Sequence, residues 1–302
     1  MRHQRLASGF LLGMASTALA AEPTVAFVPA AEKAAIQSED IKEASGLAVS
    51  SRDDGFFWIV NDSGSAPAVH LIESGGADRG KVTVAQARNI DWEDLVSFSI
   101  DGTAYLLAAD TGDNDARRDS CTLYILREPK LPTAGKNLAV TFKAEWKIDF
   151  RYEGGPRDCE AVAVDVPGRK ILLLSKRTDP PEVHELPLMP QEKRGLITTR
   201  KIGVIRVPSP AEKLLPFGNQ PTGFDIVPDN SLAAVVTYYG VFLFPRKPDE
   251  SWAQALSNKA TVLAPHCLPQ AESVAFCKDG KSILVISEGR RSPIVRFQRK
   301  SP

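Results

Sequence analysis

The chain lacks several features that identify common classes of protein. Its 302 residues carry no formal net charge, so the field of the whole molecule favours neither nucleic acid nor an acidic membrane as a partner. The spacing of the four cysteines does not match a zinc site, and the four histidines form no cluster. Beyond the N-terminus, no uninterrupted apolar run reaches the ~18 residues of a membrane-spanning helix. A Gly-x-Ser-x-Gly motif is also absent, which disfavours a nucleophilic serine hydrolase.

The N-terminus has the pattern of a secretory signal. Arg2 and Arg5 precede a short apolar stretch from Phe10 to Leu19, and Ala18-Leu19-Ala20 fits a cleavage site of small residues. The pattern predicts a signal peptide over residues 1–20 and a single domain over residues 21–302. We therefore expect an exported protein, periplasmic or secreted, with a disordered leader as the alternative.

One short motif occurs five times. It reads EASGLAV from Glu43, DWEDLVS from Asp91, DCEAVAV from Asp158, PTGFDIV from Pro221 and AESVAFC from Ala271. Aligned, each copy has an oxygen-bearing side chain at one position, called the anchor here. The anchors are Ser45, Glu93, Glu160, Thr222 and Glu272. A strand-sized motif with a period of roughly 50–65 residues indicates repeated supersecondary units, of which propeller blades are the usual form.

A second apolar run follows each motif after turn residues such as Asp101-Gly102 and Asp279-Gly280. Asp-Gly between two apolar runs predicts a β-hairpin. The pattern predicts an all-β protein, a five-bladed β-propeller, with six blades as the alternative count. In two repeats the fourth strand is predicted over Val140–Phe150 and Ile197–Val207. The last repeat has only three strands, so Thr24–Val28 is expected to pair into it and close the ring.

Four cysteines in an oxidising compartment allow one or two disulfides. A strand between Cys267 and Cys277 holds them too far apart to bond. Cys121 and Cys159 both lie near strand starts, and they are the expected pair if one forms.

Antiparallel strands bring the five anchors and the loops after each second strand to one face of the propeller. Three carboxylates that converge on a narrow axis either take up protons or bind a cation. Oxygen ligands in irregular geometry favour Ca²⁺ over Mg²⁺. The anchors therefore predict an axial Ca²⁺ site. The alternatives are that they cap strand N–H groups around a water-filled channel, or that another cation binds.

Three loop residues on the same face are candidates for catalysis. Lys176 and Arg177 follow the second strand of the third repeat and could hold a phosphate or carboxylate. Asp62 follows the second strand of the first repeat and could act as general base for water beside a metal. The alternatives are solvated loop charges for the basic pair and an Asx turn for Asp62.

The anchors, the blade count and these loops together resemble the calcium-activated nucleotidase (apyrase) family of five-bladed propellers. The resemblance implies one Ca²⁺ ringed by the five anchors, with the loop at Asp62 and the pair Lys176-Arg177 at the nucleotide site. The chain departs from that family at Thr222, which replaces a Ser, and at Asn61, which replaces an Asp. It also lacks the long insertions that shape the nucleotide site.

The chain also resembles phytase-like and esterase-like bacterial propellers. In its short sequence motifs it is most similar to uncharacterised exported bacterial propellers, which share the motifs at Asn61–Gly64, Asp91–Asp94 and Gly112–Asn114. The expected function is calcium-dependent hydrolysis of a phosphate ester or anhydride by a monomer that takes an anionic small molecule. The alternative is a non-catalytic propeller that binds a small ligand, glycan or protein, with Ca²⁺ purely structural.

Overall fold

Five sheets of four or five strands form the five blades of a β-propeller. The computed structural model describes residues 27–31, 34–191, 195–208, 218–264, 266 and 268–300. The predicted signal peptide and Cys267 lie outside these residues. Five blades were predicted from the five motifs, and the prediction is confirmed.

The strands follow the chain blade by blade. Two short strands come first, β1 (Phe27–Pro29) and β2 (Ala34–Ala35). The first motif then begins a series of four strands, β3 (Ala44–Val49), β4 (Phe56–Asn61), β5 (Ala68–Glu73) and β6 (Asp78–Ala85). The second begins a series of five, β7 (Trp92–Ile100), β8 (Thr103–Asp110), β9 (Cys121–Arg127), β10 (Leu138–Lys143) and β11 (Trp146–Arg151).

The remaining three motifs each begin a comparable series. The third has β12 (Asp158–Asp165), β13 (Lys170–Lys176), β14 (Glu182–Pro187), β15 (Leu196–Thr198) and β16 (Arg200–Val204). The fourth has β17 (Gly223–Ile226), β18 (Leu232–Thr237), β19 (Gly240–Pro245), helix α1 (Trp252–Ser257) and β20 (Thr261–Ala264). The fifth has β21 (Ala271–Phe276), β22 (Ser282–Ser287) and β23 (Pro293–Arg299).

The N-terminal strand completes the last blade, as predicted. Strand β1 pairs antiparallel with β23, so that Phe27 lies opposite Arg299 and Pro29 lies opposite Phe297. The described part of this strand begins at Phe27, within the predicted range. Because the two ends of the chain share one sheet, this pairing closes the ring.

Two predicted fourth strands are wrong, because each is divided into two strands that belong to different blades. The first half of the predicted Val140–Phe150 strand is β10, which pairs parallel with β6 at the outer edge of blade 1. The second half is β11, which pairs with β9 in blade 2. In the same way β15 pairs parallel with β11, and β16 pairs with β14. Each chain segment therefore adds a strand to the preceding blade before it returns to its own.

Backbone geometry at Gly80 makes this outer pairing possible. The residue has a φ of +95°, and a Cβ there would lie 2.6 Å from the backbone nitrogen of Leu138. Only glycine combines that dihedral angle with so close an approach of a second strand. A single apolar pattern over residues 140–150 carries no sign of this exchange.

Five clusters of buried apolar side chains fill the five interfaces between neighbouring blades. Trp58 of blade 1 and Trp92 of blade 2 are fully buried in one of them. The inner strands are buried on both faces, which explains why their sequences are continuous apolar runs. The interfaces hold the inner strands at fixed positions around the axis.

The only helix in the described part of the chain is α1, and no helix there has the length and apolar character to cross a bilayer. Ser251 caps the helix through a reciprocal capping box with Gln254, and Trp252 packs between blades 3 and 4.

The predicted disulfide between Cys121 and Cys159 is not formed. Both thiols are free and buried, and Cys277 is also free and buried. Cys121 and Cys159 lie in the apolar interface between blades 2 and 3, where burial raises the pKa of each thiol to about 12. They act as small apolar core residues.

Candidate functional site

A β-bulge lies at the anchor in four of the five blades. The register between the inner and second strands shifts at Ser45, Glu93, Glu160 and Glu272. In blade 4 the anchor Thr222 immediately precedes β17. A bulge places one extra residue in a strand and re-aims its side chain. The repeated motif therefore encodes a local interruption of the ladder at the same end of each inner strand.

The two hydroxyl anchors bond to neighbouring blades. The hydroxyl of Ser45 donates to the carbonyl oxygens of Trp92 and Glu93, each at 2.7 Å. The hydroxyl of Thr222 donates to the carbonyl oxygen of Ala271 at 2.6 Å. Each bond joins an inner strand to the next one around the axis. These hydroxyl hydrogens are therefore engaged in holding blades together.

The carboxylate anchor Glu93 is the centre of an acidic cluster. Its carboxylate lies within 4.8 Å of ligand oxygens in two separate groups, Asp62 with Asp91 and Asp158 with Glu160. The structure thus brings together three of the predicted site residues, Asp62, Glu93 and Glu160. It adds Asp91 and Asp158, which were not predicted.

Almost nothing stabilises a negative charge on Glu93. The residue is only 7% exposed, and burial, followed by the nearby charge of Glu160, raises its pKa well above the usual range. Within the described residues, the one hydrogen bond that reaches its carboxylate is a 3.5 Å contact from Ser45. That hydroxyl has a single hydrogen and two better acceptors at 2.7 Å. A buried carboxylate without a donor is a position that a cation would stabilise.

Gly112 closes one side of the cluster. A Cβ at this position would lie 2.5 Å from the carboxyl carbon of Asp91 and closer still to the Glu93 carboxylate. The glycine therefore lets the backbone of the loop after β8 approach both acids.

The loop after β8 is held by its own charged residues. The Asp113 carboxylate accepts the backbone N–H groups of Arg117 at 2.9 Å and Arg118 at 2.8 Å. The Arg118 side chain turns back to form an ion pair with Asp110 at 2.9 Å. The backbone nitrogen of Asp113 donates to Asp158 at 2.9 Å, which ties this loop to blade 3.

Asp62 and Asp91 face each other at the edge of the cluster. Burial and then hydrogen bonding to Asp62 raise the pKa of Asp91 to about 7. The backbone N–H of Ser63, the next residue in the chain, donates to the Asp62 carboxylate, whereas an Asx turn would take its N–H from Gly64. Asn89 holds the backbone here by donating to the carbonyl oxygen of Asp62 at 2.9 Å.

Lys176 lies inside the site and not on its rim. It is buried and forms an ion pair with Glu160. Its ammonium group is also 3.3 Å from the hydroxyl of Tyr238, which in turn donates to Glu272 at 3.0 Å. Burial alone would lower the pKa of Lys176, but the charges of Glu160 and Glu272 outweigh burial and raise it. The ammonium therefore stays charged at neutral pH.

Arg177 has a comparable role one residue later. Its Nε donates to Asp158 at 2.7 Å, and its guanidinium also reaches Asn114. About a third of the side chain remains exposed. The two basic residues predicted to hold an anion are thus already engaged with carboxylates of the cluster.

The sequence contains a pattern that points to Asp91 and Asp158, the two acids of the cluster that were not predicted. Two positions before each anchor stands an acid or an amide: Glu43, Asp91, Asp158, Gln220 and Gln270. Asp91 and Asp158 are two of these, and both extend the cluster around Glu93. Tyr238 aligns with Lys176 at the point where the second strand of each blade ends, and both side chains lie at the site.

No protein-family model matches this chain, and no curated protein sequence matches it. Among solved structures, it is similar to the PQQ-bound form of an aldose sugar dehydrogenase from Streptomyces coelicolor. The identity is 9%, the alignment covers 90% of this chain and 100% of that chain, and the TM-score is 0.46. A similarity of this size carries no conclusion about the activity of this chain.

Proposed function

We propose that this protein is an exported propeller that binds a divalent cation, Ca²⁺, at the acidic cluster and hydrolyses a phosphate ester or anhydride there. The single observation that carries the proposal is the buried, donor-poor carboxylate of Glu93, surrounded by four other acids. The resemblance to calcium-activated nucleotidases and phytase-like propellers supports the choice of reaction.

The chemistry of the donor set fits a hard cation. All candidate ligands are carboxylate oxygens, and the cluster has neither the histidine nor the cysteine ligands typical of zinc. Carboxylates from different loops and strands, without a fixed octahedral frame, favour Ca²⁺ over Mg²⁺. When bound, such an ion would neutralise phosphoryl charge as a Lewis acid.

The residues of the chain have separate tasks in this proposal. Asp62 is half-buried at the edge of the cluster and would orient or deprotonate the attacking water. The exposed part of Arg177 would contact an oxygen of the phosphoryl group, while its Nε stays on Asp158. Lys176 would act at a distance, because its ammonium is held by Glu160. Ser45 and Thr222 would position the inner strands.

A non-catalytic binding module is the second candidate, with Ca²⁺ purely structural. The specific observation in its favour is that both predicted phosphate-binding side chains, Lys176 and Arg177, are already paired with acids. Because both side chains are paired, the site offers an incoming anion less positive charge than the sequence predicts. A small ligand, glycan or protein would then bind to the same face through neutral groups.

The proposal is tested by a panel of phosphatase and nucleotidase substrates, with and without Ca²⁺. We expect calcium-dependent turnover that Asp62→Asn lowers by roughly 100-fold or more, as for loss of a general base. Asp101→Asn, in an exposed turn at the other end of the inner strand, is the matched control and should leave turnover unchanged. Calcium binding without turnover of any substrate would leave only the binding module.

Export predicts a mature N-terminus at Ala21, which mass spectrometry of the secreted or periplasmic protein would measure.

A further inference from the structure

We infer that the cation binds at Asp62, Asp91 and Glu93, and that the Lys176 ammonium occupies the neighbouring acidic group as a built-in cation. The inference rests on the cation-binding part of the proposed function and not on hydrolysis. It places the ion at a single anchor, Glu93, and not at the centre of all five, and it predicts one ion per chain.

The first argument concerns which acids already have a positive partner. Asp158 is paired with Arg177 at 2.7 Å, Glu160 with Lys176, and Asp110 with Arg118 at 2.9 Å. Within the described part of the chain, no Lys, Arg or His nitrogen forms such a pair with Asp62, Asp91 or Glu93 (the acidic triad).

The acidic triad therefore concentrates negative charge that the protein does not neutralise. Its ligand oxygens all lie within 4.8 Å of one another, a spacing at which one ion could contact all three. Like charges at this separation are unfavourable unless protons or a cation join them.

The second, independent argument is the orientation of Glu93. This side chain is more than nine-tenths buried. Within the described residues, the one hydroxyl near its carboxylate is that of Ser45, which donates its hydrogen to closer backbone carbonyl oxygens. Gly112 leaves the space in which the carboxylates of Glu93 and Asp91 approach the same loop. A buried carboxylate with so few donors is a position that a bound cation would stabilise.

The third argument explains why the five-anchor ring does not hold the ion. Two of its three acidic anchors, Glu160 and Glu272, already face the positive charge of Lys176. Glu272 accepts the hydroxyl of Tyr238, which lies 3.3 Å from the ammonium of Lys176.

The Lys176 ammonium thus lies between two of the three acidic anchors. It pairs with Glu160 and, through Tyr238, reaches Glu272, and it also lies 5.1 Å from the centre of the Tyr238 ring. A fixed positive charge there repels a second ion from the group of Glu93, Asp158 and Glu160.

The inference is tested by calorimetric titration of the full chain with Ca²⁺ alone, at neutral pH and without any substrate. The wild type should bind one ion. Asp91→Asn should weaken binding about tenfold or more, because it removes one charged ligand. Glu272→Gln should leave affinity unchanged to within about threefold, and Asp101→Asn is the control outside both groups. Lys176→Met should bind a second ion, because it removes the positive charge that repels an ion from the group of Glu93, Asp158 and Glu160.

Three results would overturn the inference. They are loss of binding in Glu272→Gln with normal binding in Asp91→Asn, two ions bound by the wild type, and no binding by the wild type. Should Lys176→Met not fold, as judged by its melting curve, the comparison of Asp91→Asn with Glu272→Gln still decides between the triad and the ring. One bound ion without hydrolysis of any phosphate substrate would refute the proposed reaction and leave the cation site intact.

Discussion

Gly112→Ala is the substitution that most directly tests the packing of the acidic cluster. The added Cβ would lie 2.5 Å from the carboxyl carbon of Asp91, whereas non-bonded carbons prefer separations of about 3.5–4.0 Å. The carboxylates of Asp91 and Glu93 must therefore move by about 1 Å, or the loop must move instead. Overpacking of this kind costs about 1–3 kcal/mol of stability. A displaced pair of ligands should also weaken Ca²⁺ binding by about tenfold or more, which corresponds to about 1.4 kcal/mol.

The assay is calorimetric titration with Ca²⁺, together with thermal melting of the metal-free protein. The matched control is Gly75→Ala, since a Cβ at Gly75 meets nothing within 4 Å and the residue does not have a positive φ. The control should bind Ca²⁺ like the wild type. If Gly112→Ala is folded and binds Ca²⁺ with unchanged affinity, the ion does not depend on the positions of Asp91 and Glu93, and the reasoning is refuted.

Three further predictions address charge and burial. Arg118→Met should cost about 3–5 kcal/mol of unfolding free energy in chemical denaturation, because it leaves the buried Asp110 carboxylate without its partner; a loss below 1 kcal/mol would contradict this. Glu128→Leu removes the acceptor of the Ser50 hydroxyl and of the Trp58 indole, so it should cost at least about 2 kcal/mol and leave Ca²⁺ affinity unchanged. The third concerns pH: burial raises the pKa of Asp91 to about 7, so between about pH 4 and 7 the folded state holds more protons than the unfolded state. The metal-free protein should therefore lose stability as the pH rises through this window, and added Ca²⁺ should raise the melting temperature more at pH 8 than at pH 5. Equal shifts at both pH values would show that these protons do not compete with the ion.

Much of the fold could be predicted from the sequence because each blade repeats its inner strands. The apolar runs of β3 and β12 are buried on both faces, so they read as continuous hydrophobic segments. The outer strands carry a weaker pattern, since β10 is mostly exposed. Its partner is set by the close backbone contact at Gly80, which is a property of the folded chain.

The candidate site was predictable in part for a related reason. The motif fixes where Glu93 and Glu160 fall along their strands, and both lie in the acidic cluster. It does not reveal that Ser45 would bond to a neighbouring blade or that Lys176 would turn inward onto Glu160. Neighbouring blades supply partners for both side chains, the Glu93 carbonyl for Ser45 and Tyr238 for Lys176, and the order of residues in one blade does not contain them.

The parallel strand β10 means that the sequence repeat is not a unit that can stand alone. A fragment ending at Pro129 would contain the inner strands of two blades, yet β6 would have an uncovered outer edge. Unpaired edges of this kind recruit other chains. Cutting the gene at motif boundaries should therefore yield fragments that aggregate.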